Sequence, residues 1–521
     1  MRRVGRDWRY AAALVALTIV AVVRVASTHR VFSEVLDEPA HVAAGFEWLS
    51  GSYTIDASHP PLARILGALP LWLADYPLPQ AKDMVPFGNE LLYHGDRYVK
   101  TLARARIGNL LLLAVAIVAT AEWTRRAFSK SVAIVAAALL TTLPPVLGHA
   151  GLITTDLAPL AAIPLALLAL QTKRPVPIGL ALAFGLLTKF SFLIFFVPCA
   201  LIVLVAHRIR PNAKQLAIAT GIAFVITWAG YRFDFRTPRA YGGDHAVHVL
   251  GVAAPAPLRD FARWTAEHVP LPAPAFATGF GMVQSHNKGG HKAFLLGEVR
   301  THGWWYYFPV VFFYKTPIPF LLLALWGALL LRDRIRVTYL LCATAIMAVS
   351  MTSGINIGLR HILPIYAPLS IVAAFGVVES WKRAHDTFGR IALTGLLGWL
   401  FIGVAIDHPD YLAWFNEAAR PNPQRITVDS NLDWGQDTLR LERVVRELHI
   451  ESLSVDVMTN VRLDKFGIPI NGFDANLQPS GWVAVSETPL AFRSAEGGYG
   501  WLRTYRPVRR IGKSIRLYKL P

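Results

Sequence analysis

The sequence has little charge and almost no cysteine. Only 17% of its 521 residues are charged, whereas 54% are hydrophobic, more than the surface of a soluble domain can carry. The hydrophobic residues are gathered into blocks of about 17 to 20, which as helices would cross about 30 Å of hydrocarbon. These features exclude an ordinary cytosolic globule and predict a polytopic α-helical membrane protein.

The two cysteines, Cys199 and Cys342, both lie inside apolar runs, so no disulfide framework is expected in any exported part. Internal repeats, low-complexity linkers and coiled-coil heptads are also missing from the sequence. The first apolar run follows MRRVGRDWRY, is long, and has no convincing small-residue cleavage site after it. We therefore interpret this run as an uncleaved anchor.

Acidic residues are the scarcer charge, with 34 Asp and Glu against 52 Lys and Arg and a net charge of +18. In a soluble protein this excess would suggest a nucleic-acid partner. Here much of it lies in short connections between apolar blocks, where positive charge keeps a connection cytoplasmic. The charge therefore favours a membrane protein whose partners include lipid and no nucleic acid.

The apolar blocks predict eleven membrane spans, of which the fifth and sixth form one long stretch broken near Thr188 and Lys189. With the amino terminus in the cytoplasm, basic residues follow every even-numbered span, and this regularity supports the break. The amino terminus itself carries Arg2, Arg3, Arg6 and Arg9. The spans are predicted at roughly 10–27, 106–123, 131–147, 153–170, 176–190, 191–207, 215–232, 316–331, 336–353, 361–379 and 390–406.

This topology places two long loops, 28–105 and 233–315, and the tail from 407 on the exported side. The tail is polar: DTLRLERVVRELH has helical periodicity, and SLSVDV, GWVAVS and SIRLYKL alternate like strands. We therefore predict a membrane domain over 1–406 and a small C-terminal α/β domain over 407–521.

Two adjacent carboxylates, Asp37 and Glu38, open the first exported loop in the segment DEPAH. A carboxylate close to the bilayer surface can serve as a general base if its surroundings raise its pKa. The alternatives are that Asp37 and Glu38 form a solvated loop start, or that Asp37 caps a helix that begins at Pro39, which the order Asp-x-Pro fits well. The spacing by itself slightly favours these structural alternatives.

Other ionisable residues fall at membrane depth, where charge is costly and usually functional. Each has a structural alternative: Asp156 could cap a helix, Lys189 and Lys315 could snorkel to headgroups, and Arg360 could bind a lipid phosphate. His361 adjoins Arg360. On the predicted topology all of them face the exported side, where mixed charge would suit a general base beside an anionic leaving group.

The segment from Asp429 to Asp437 places oxygen ligands at alternate positions, like the first half of a calcium loop. Its glycine falls one place late, and no glutamate closes the pattern. The sequence leaves a divalent cation open here and favours another interpretation: Asp433 or Asp437 caps the helix that follows, and Trp434 packs against the membrane part.

The motifs together resemble the GT-C membrane glycosyltransferases, specifically bacterial relatives of the dolichyl-phosphate-mannose protein mannosyltransferase and aminoarabinose transferase group. The resemblance covers almost the whole membrane part and the start of the tail. It is carried by DEPAHVAAGFEWLSG, HPPLARILGALPLWL, GHAGLITTDLAPL, GLLTKFS, YYFPVVFFYKTPIPF, GLRHILPIY and WFNEAARPNPQRITVDSNLDWGQDTLRL.

The resemblance implies a catalytic carboxylate in the first exported loop and a second acidic residue before the fourth span. It therefore implies roles for the following residues: catalysis by Asp37, with Glu38 beside it and Asp156 in support; binding of the donor phosphate by Arg360, Lys189, Lys315 and His361; and further site positions at His59 and His41. No metal and no certain cofactor is implied.

The expected protein is thus a bacterial inner-membrane enzyme with its active site outside the cytoplasm. It would move a monosaccharide from a polyprenyl-phosphate donor to a hydroxyl acceptor on protein, lipid or polysaccharide, by a single inverting displacement. The alternative is a transporter or flippase, in which the same charges would line a substrate path. The missing repeated halves and the long exported loops argue against the alternative.

Overall fold

The computed structural model describes residues 8–383 and 387–521, so the predicted cytoplasmic arginines Arg2, Arg3 and Arg6 lie outside the described residues. The helices of the first half are α1 Trp8–Ala26, α2 Glu38–Leu49, α3 Leu62–Trp72, α4 Met84–Leu92, α5 Tyr98–Arg125, α6 Lys130–Leu140, α7 Pro144–Ala150, α8 Ala158–Leu170, α9 Pro175–Thr188, α10 Ser191–Ala206 and α11 Ala213–Gly230. Those of the second half are α12 Asp244–Ala253, α13 Arg259–His268, α14 Pro274–Gly289, α15 Tyr307–Lys315, α16 Ile318–Leu330, α17 Arg334–Ser350, α18 Tyr366–Arg383, α19 Thr387–Ile406, α20 Thr438–Glu447 and α21 Glu487–Ala495.

A helix lies at each of the eleven segments predicted to span the membrane. Among the described residues, five helices are long and apolar enough to cross a bilayer, and seven if the bent pairs α6–α7 and α15–α16 each count as one. The helices α8, α9 and α10 are shorter than the expected span. The predicted break is present, because α9 ends at Thr188, Lys189 has extended backbone, and α10 begins at Ser191.

The first predicted exported loop folds into three helices, α2, α3 and α4, rather than an open loop. Helices α2 and α3 approach closely because Gly45 faces the backbone of Arg64, where a Cβ atom would overlap the carbonyl group. Val42 and Phe46 of α2 are buried against Leu71 of α3 in a small apolar core. This packing fixes the orientation of α2, whose first turn carries the acidic pair.

The second predicted exported loop contains α12, α13 and α14 and two short antiparallel pairs of strands. Strand β1 (Phe235–Arg236) pairs with β2 (Leu271–Pro272). Strand β3 (Ala293–Leu295) pairs with β4 (Glu298–Arg300) directly after α14. The α14 helix therefore enters and leaves through structured turns, which hold its carboxyl end in place.

The tail forms a mixed five-stranded sheet with helices α20 and α21. Its strands are β5 Leu453–Asp456, β6 Ile470–Asn471, β7 Gly481–Ser486, β8 Arg509–Ile511 and β9 Ile515–Leu520, in the order β6-β5-β7-β9-β8. Strand β5 is parallel to β6 and β7, whereas β7–β9 and β9–β8 are antiparallel. The segments expected to be strands in SLSVDV, GWVAVS and SIRLYKL are β5, β7 and β9.

The segment between α19 and α20 joins this sheet to the membrane part. The backbone N–H of Ser33 donates to the carbonyl of Gln436 at 3.0 Å, and that of Leu36 donates to the carbonyl of Trp434 at 3.1 Å. Trp434 is 1% exposed, as expected of a residue that packs the tail on the membrane part. The start of the first loop and the start of the tail therefore form one unit.

Candidate active site

A cavity of about 390 Å³ opens where the first loop, the α7–α8 connection, the α9–α10 break, α14 and the approach to α18 meet. Its apolar wall includes Phe190, Ile194, Phe195 and Phe308. Its charged and imidazole side chains are Asp37, Asp156, Lys189, Arg360, His41, His59, His286, His291 and His361. An apolar chamber with a few convergent charges is the usual form of a substrate site.

Arg360 joins two carboxylates that lie far apart in the sequence. Its Nη1 donates to Oδ2 of Asp37 at 2.7 Å and to Oδ2 of Asp156 at 3.3 Å. The guanidinium lies over the ring of Trp434, 4.1 Å from its centroid. Arg360 comes from a 3-10 turn, Leu359–Ile365, which begins after Gly358 and precedes α18. The cluster therefore forms only where the first loop, the start of the fourth span, the start of the tenth span and the tail come together.

Lys189 completes the charge cluster from the other side. Its ammonium group forms an ion pair with Oδ1 of Asp156, so each oxygen of this carboxylate faces a different cation. Asp156 is not the predicted helix cap, because α8 begins after Leu157 and receives no side-chain cap. Lys189 reaches inward because the α9–α10 break leaves it in extended backbone rather than on a lipid-facing helix surface.

Asp37 occupies the N-cap position of α2, but its carboxylate makes no capping hydrogen bond. Asp37 is therefore at the position expected of a helix cap, but its side chain points toward Arg360 and does not cap the helix. The Asp37 side chain is 38% exposed, compared with 3% for that of Asp156. Of the two carboxylates, Asp37 is the one that a substrate could reach.

Asp429 approaches the cluster from the tail. Burial raises the pKa of its carboxyl group to about 6, although Arg360 lowers it. Its backbone is in the left-handed region, with φ of 55°, which an aspartate tolerates better than most residues. Its Oδ1 accepts the backbone N–H of Ser430 at 2.5 Å, which stabilises this turn beside the cavity.

No family model and no curated protein matches the sequence, but solved structures do. ArnT from Cupriavidus metallidurans bound to undecaprenyl phosphate is 13% identical and has a TM-score of 0.50; the match covers 96% of this chain and 97% of ArnT. The Archaeoglobus fulgidus oligosaccharyltransferase in its apo form is also 13% identical, with a TM-score of 0.49 over 96% of this chain and 73% of that one. The chain has the GT-C fold.

The expected GT-C resemblance is thus confirmed for the fold, which is what a likeness at 13% identity shows. Within this GT-C fold, four predicted site residues meet in direct ion pairs: Asp37, Asp156, Lys189 and Arg360. Their sequence separations are 33 residues for Lys189 and Asp156 and 323 for Arg360 and Asp37. The cavity of this protein therefore contains both acidic and basic side chains, as the sequence motifs predict.

Glu38 and Lys315 do not line this cavity. The carboxylate of Glu38 is fully buried and accepts hydrogen bonds from Nε and Nη2 of Arg106 at 2.8 and 2.7 Å. It also accepts the backbone N–H groups of Val35 and Ile153, both at 2.9 Å. A carboxylate with four such donors is saturated, so the structure gives Glu38 the position of a brace between the first loop and its neighbours.

The location expected for Lys315 needs correction as well. Its Nζ donates to the carbonyl oxygens of Leu412 at 2.7 Å and Asn431 at 2.6 Å, and it lies over the ring of Phe415. Lys315 is 3% exposed, so it neither snorkels nor reaches the cavity. It lies under the tail because α15 and α16 meet at a bend of 112°, which turns the end of α15 inward.

The three predicted histidines, His41, His59 and His361, all line the cavity. Burial, with Arg64 as the next cause, lowers the pKa of His41 to about 4. Burial, with Arg64 as the next cause, also holds the pKa of His59 well below its usual value. Both imidazoles are therefore neutral at pH 7.

The sequence interpretation missed His286 and His291, which reach the cavity from the end of α14 and the turn after it. Nε2 of His286 and Nδ1 of His291 are 3.0 Å apart, a hydrogen-bond distance. No local pattern identified this pair. It missed Arg64 and Arg106 too, although each is an ionisable residue inside an apolar helix, the same signal that singled out Lys189.

In the described part of the chain, residues 8–383 and 387–521, no three His, Cys, Asp or Glu side chains are arranged to hold a metal ion. Asp433 does not cap the helix that follows it. Its Oδ2 accepts the N–H of Thr488 in the first turn of α21 at 2.8 Å. Asp437 stands at the N-cap position of α20, but its Oδ2 accepts the hydroxyl of Ser514 at 2.8 Å.

Proposed function

We propose that the protein is an integral membrane glycosyltransferase that moves a monosaccharide from a polyprenyl-phosphate donor to a hydroxyl acceptor. The observation that carries the proposal is the ion-pair cluster of Asp37, Arg360, Asp156 and Lys189 on one cavity wall. The GT-C fold supports it, and the similar ArnT structure contains undecaprenyl phosphate. The predicted topology places the cavity outside the cytoplasm of a bacterial cell, facing the exported loops.

The cations of the cluster fit the donor phosphate. Arg360 is held from behind by the ring of Trp434 and from two sides by carboxylates, so its guanidinium is fixed before substrate enters. Lys189 stands on the far side of Asp156 and adds a second positive charge. Fixed cations in a dry cavity stabilise a phosphate charge as it develops, because they need no reorganisation during the reaction.

Asp37 fits the acceptor side. A phosphate that binds Arg360 competes with Asp37 for the guanidinium and releases this carboxylate toward the cavity. The free carboxylate then accepts the proton of the acceptor hydroxyl as its oxygen attacks the anomeric carbon. The bond from this carbon to the phosphate oxygen breaks, and the polyprenyl phosphate leaves with the bonding electrons. One displacement of this kind inverts the anomeric centre.

Asp156 does not fit the role of base. Its side chain is 3% exposed and each of its oxygens already faces a cation. It is therefore assigned to holding Arg360 and Lys189 at a fixed separation. His361 lies beside Arg360 and lines the same cavity. The proposal assigns no metal ligands.

The apolar wall supports a lipid donor. Phe190, Ile194 and Phe195 lie at the α9–α10 break, next to Lys189. An isoprenoid tail that contacts these side chains would place its phosphate beside Lys189 and Arg360. A free nucleotide sugar would gain nothing from such a wall.

The test uses membranes that contain the full chain, a radiolabelled polyprenyl-phosphate sugar, and candidate protein, lipid and polysaccharide acceptors. Transfer of label to an acceptor hydroxyl supports the proposal, and the product should have the inverted anomeric configuration. Label that crosses sealed vesicles unchanged would instead show a transporter or flippase. Binding of the donor without transfer to any acceptor class would contradict enzymatic function.

A further inference from the structure

The first loop holds one more charged network beside the cavity, around the buried Arg64 of α3. Arg64 is 1% exposed. Its Nη1 donates to the hydroxyl of Tyr53 at 3.1 Å and to the carbonyl of Asp56 at 2.7 Å, and its Nη2 forms an ion pair with the Asp56 carboxylate. The guanidinium is therefore locked in one orientation, with its Nε–H directed at α2.

That Nε–H donates to Nδ1 of His41 at 3.2 Å. Arginine is always protonated in proteins and its nitrogens only donate. Nδ1 of His41 must therefore carry a lone pair and not a proton. In a neutral imidazole the proton then resides on Nε2, because one ring nitrogen donates when the other accepts.

His41 is 5% exposed and lines the cavity beside Asp37. Since its Nδ1 edge faces Arg64, the Nε2–H edge is the one available to a substrate. We propose, on the basis of the proposed function, that His41 is a neutral hydrogen-bond donor to an oxygen atom of the bound substrate, and that Arg64 is the positioning residue that fixes its tautomer.

The charged neighbours of His41 oppose one another. Asp37, Asp56 and Asp156 each favour a protonated ring, whereas Arg64 and burial favour a neutral one. The neighbouring ring of His59, with its centroid 5.4 Å away, is held neutral for the same reasons. The result is a pKa of about 4 for His41, so the ring is neutral at pH 7.

A neutral donor at this place has a clear use. Arg360 and Lys189 balance the charges of Asp37 and Asp156, so these four side chains carry no net charge before a substrate enters. A neutral N–H orients an oxygen without adding charge. That oxygen belongs either to the donor phosphate or to a hydroxyl of the sugar or acceptor, since both accept the same hydrogen bond.

The first test is spectroscopic and does not depend on catalysis. Full-length protein with ¹⁵N-labelled histidine is reconstituted in lipid, and the His41 signals are identified as those missing from the His41→Gln variant. We expect an unprotonated Nδ1 and a protonated Nε2 from pH 5.5 to 8. In Arg64→Lys the same ring should populate both tautomers and stay neutral at pH 7, because burial, the main cause of its lowered pKa, is kept. An Nδ1–H tautomer or a charged ring at pH 7 in the unmodified protein would overturn the inference while leaving the proposed function untouched.

The second test compares His41→Phe, which keeps a flat ring and loses the donor, with His41→Gln, whose amide N–H can replace it. Transfer should fall about 10- to 100-fold in His41→Phe and recover at least partly in His41→Gln. The exposed His245→Gln and Arg104→Lys variants are matched controls that should behave like the parent protein. Full transfer by His41→Phe would contradict the inference.

Undecaprenyl phosphate without sugar separates the two sources of the oxygen. If His41 binds the phosphate, His41→Phe should weaken the binding of this lipid by the same factor as transfer. If His41 binds a hydroxyl, lipid binding is unchanged and only transfer falls. Unchanged lipid binding together with unchanged transfer would remove His41 from the site.

Discussion

Asp37 and Glu38 are neighbours in the sequence, yet they belong to two different kinds of charged region. The Asp37 cluster lines a cavity, and its carboxylate is partly exposed and held by one cation. The Glu38 brace is closed, with a fully buried carboxylate that accepts four hydrogen bonds. Costly buried charge alone therefore does not identify a catalytic group. The distinction lies in whether the group has capacity left for a substrate.

The same distinction separates the two lysines predicted to bind phosphate. Lys189 lines the cavity and pairs there with Asp156. Lys315 instead donates to two backbone carbonyl groups in the segment that joins α19 to α20, away from the cavity. The Asp37 cluster, here called the open region, has charges that a bound ligand can rearrange. The closed regions, around Glu38 and Lys315, attach the first loop and the tail to the membrane helices. They therefore fix the positions of the side chains in the open region.

Asp37→Asn should have the largest effect on the open region. The amide keeps the size of the side chain but cannot accept a proton, so transfer should fall about 10²- to 10⁴-fold, the usual contribution of a general base. Radiolabel transfer in membranes measures this loss, and the unfolding temperature in detergent should stay near that of the parent. The exposed Asp75→Asn, from the same loop, should transfer normally. Retained turnover by Asp37→Asn would remove this residue from the base role.

Glu38→Gln should instead destabilise the closed region around Glu38. It leaves Arg106 as a buried cation without its counter-charge, which costs about 3–5 kcal/mol of stability. The measurement is thermal unfolding in detergent, with the exposed Glu90→Gln as control. The comparison fails if Glu38→Gln is as stable as the parent but inactive, because Glu38 would then belong to the chemistry.

Arg360→Lys tests the bridge at the centre of the cluster. An ammonium group keeps the charge but cannot reach two carboxylates and stack on Trp434 at once. Transfer should fall about 10²- to 10³-fold, as after loss of one preorganised donor to a developing anion. Binding of undecaprenyl phosphate, measured separately, should also weaken. A variant with normal transfer would show that charge alone suffices there.

Lys189→Met and Lys315→Met form a matched pair. Lys189→Met should raise the KM for the lipid donor about 10- to 100-fold, the range for a lost charge-assisted hydrogen bond. Lys315→Met should leave that KM unchanged and cost about 1–3 kcal/mol, because two carbonyl groups lose their donor. Steady-state kinetics and thermal unfolding separate the two effects. If Lys315→Met raised the KM and Lys189→Met only lowered stability, Lys315 rather than Lys189 would be the lysine that binds the donor.

Asp433 gives a smaller, pH-dependent test of a buried carboxylate that forms no ion pair with the described residues. Burial raises the pKa of Asp433 to about 7. The folded state therefore holds a proton that the unfolded state releases near pH 4, so stability falls as pH rises from about 4 to 7. Asp433→Asn should remove this fall and raise the free energy of unfolding at pH 8 above that of the parent protein.

Thermal unfolding in detergent across pH 4–8 measures the Asp433 effect. The exposed Asp474→Asn should reproduce the curve of the parent protein. An unchanged pH dependence in Asp433→Asn would show that this carboxylate is charged in the folded protein.

Much of the architecture was predictable because it follows from local patterns. Apolar blocks of sufficient length predict helices at each of the eleven segments, and Lys189 predicts the break that separates α9 from α10. Alternation along the tail predicts strands β5, β7 and β9. Fewer than eleven of the described helices are long and apolar enough to count as spans, because helices such as α8 and α10 contain prolines and are short.

The candidate site was only partly predictable. An ionisable residue in an apolar segment is visible in the sequence, and this signal identified Asp156, Lys189 and Arg360. It could not separate them from Lys315, whose surroundings look the same along the chain. His286 and His291 gave no signal, because the loop that carries them has an ordinary polar composition. Arg64 gave the signal and was overlooked within the HPPLAR segment.

The sequence by itself determined that the chain is a helical membrane protein, because the free energy of placing apolar side chains and charges in a bilayer depends on composition and spacing. It also determined which residues are costly to bury. Only the tertiary structure decided which of these charges are satisfied by the protein and which are left for a substrate. The reason is geometric, since hydrogen bonds reach about 3 Å and their partners here lie up to hundreds of residues apart.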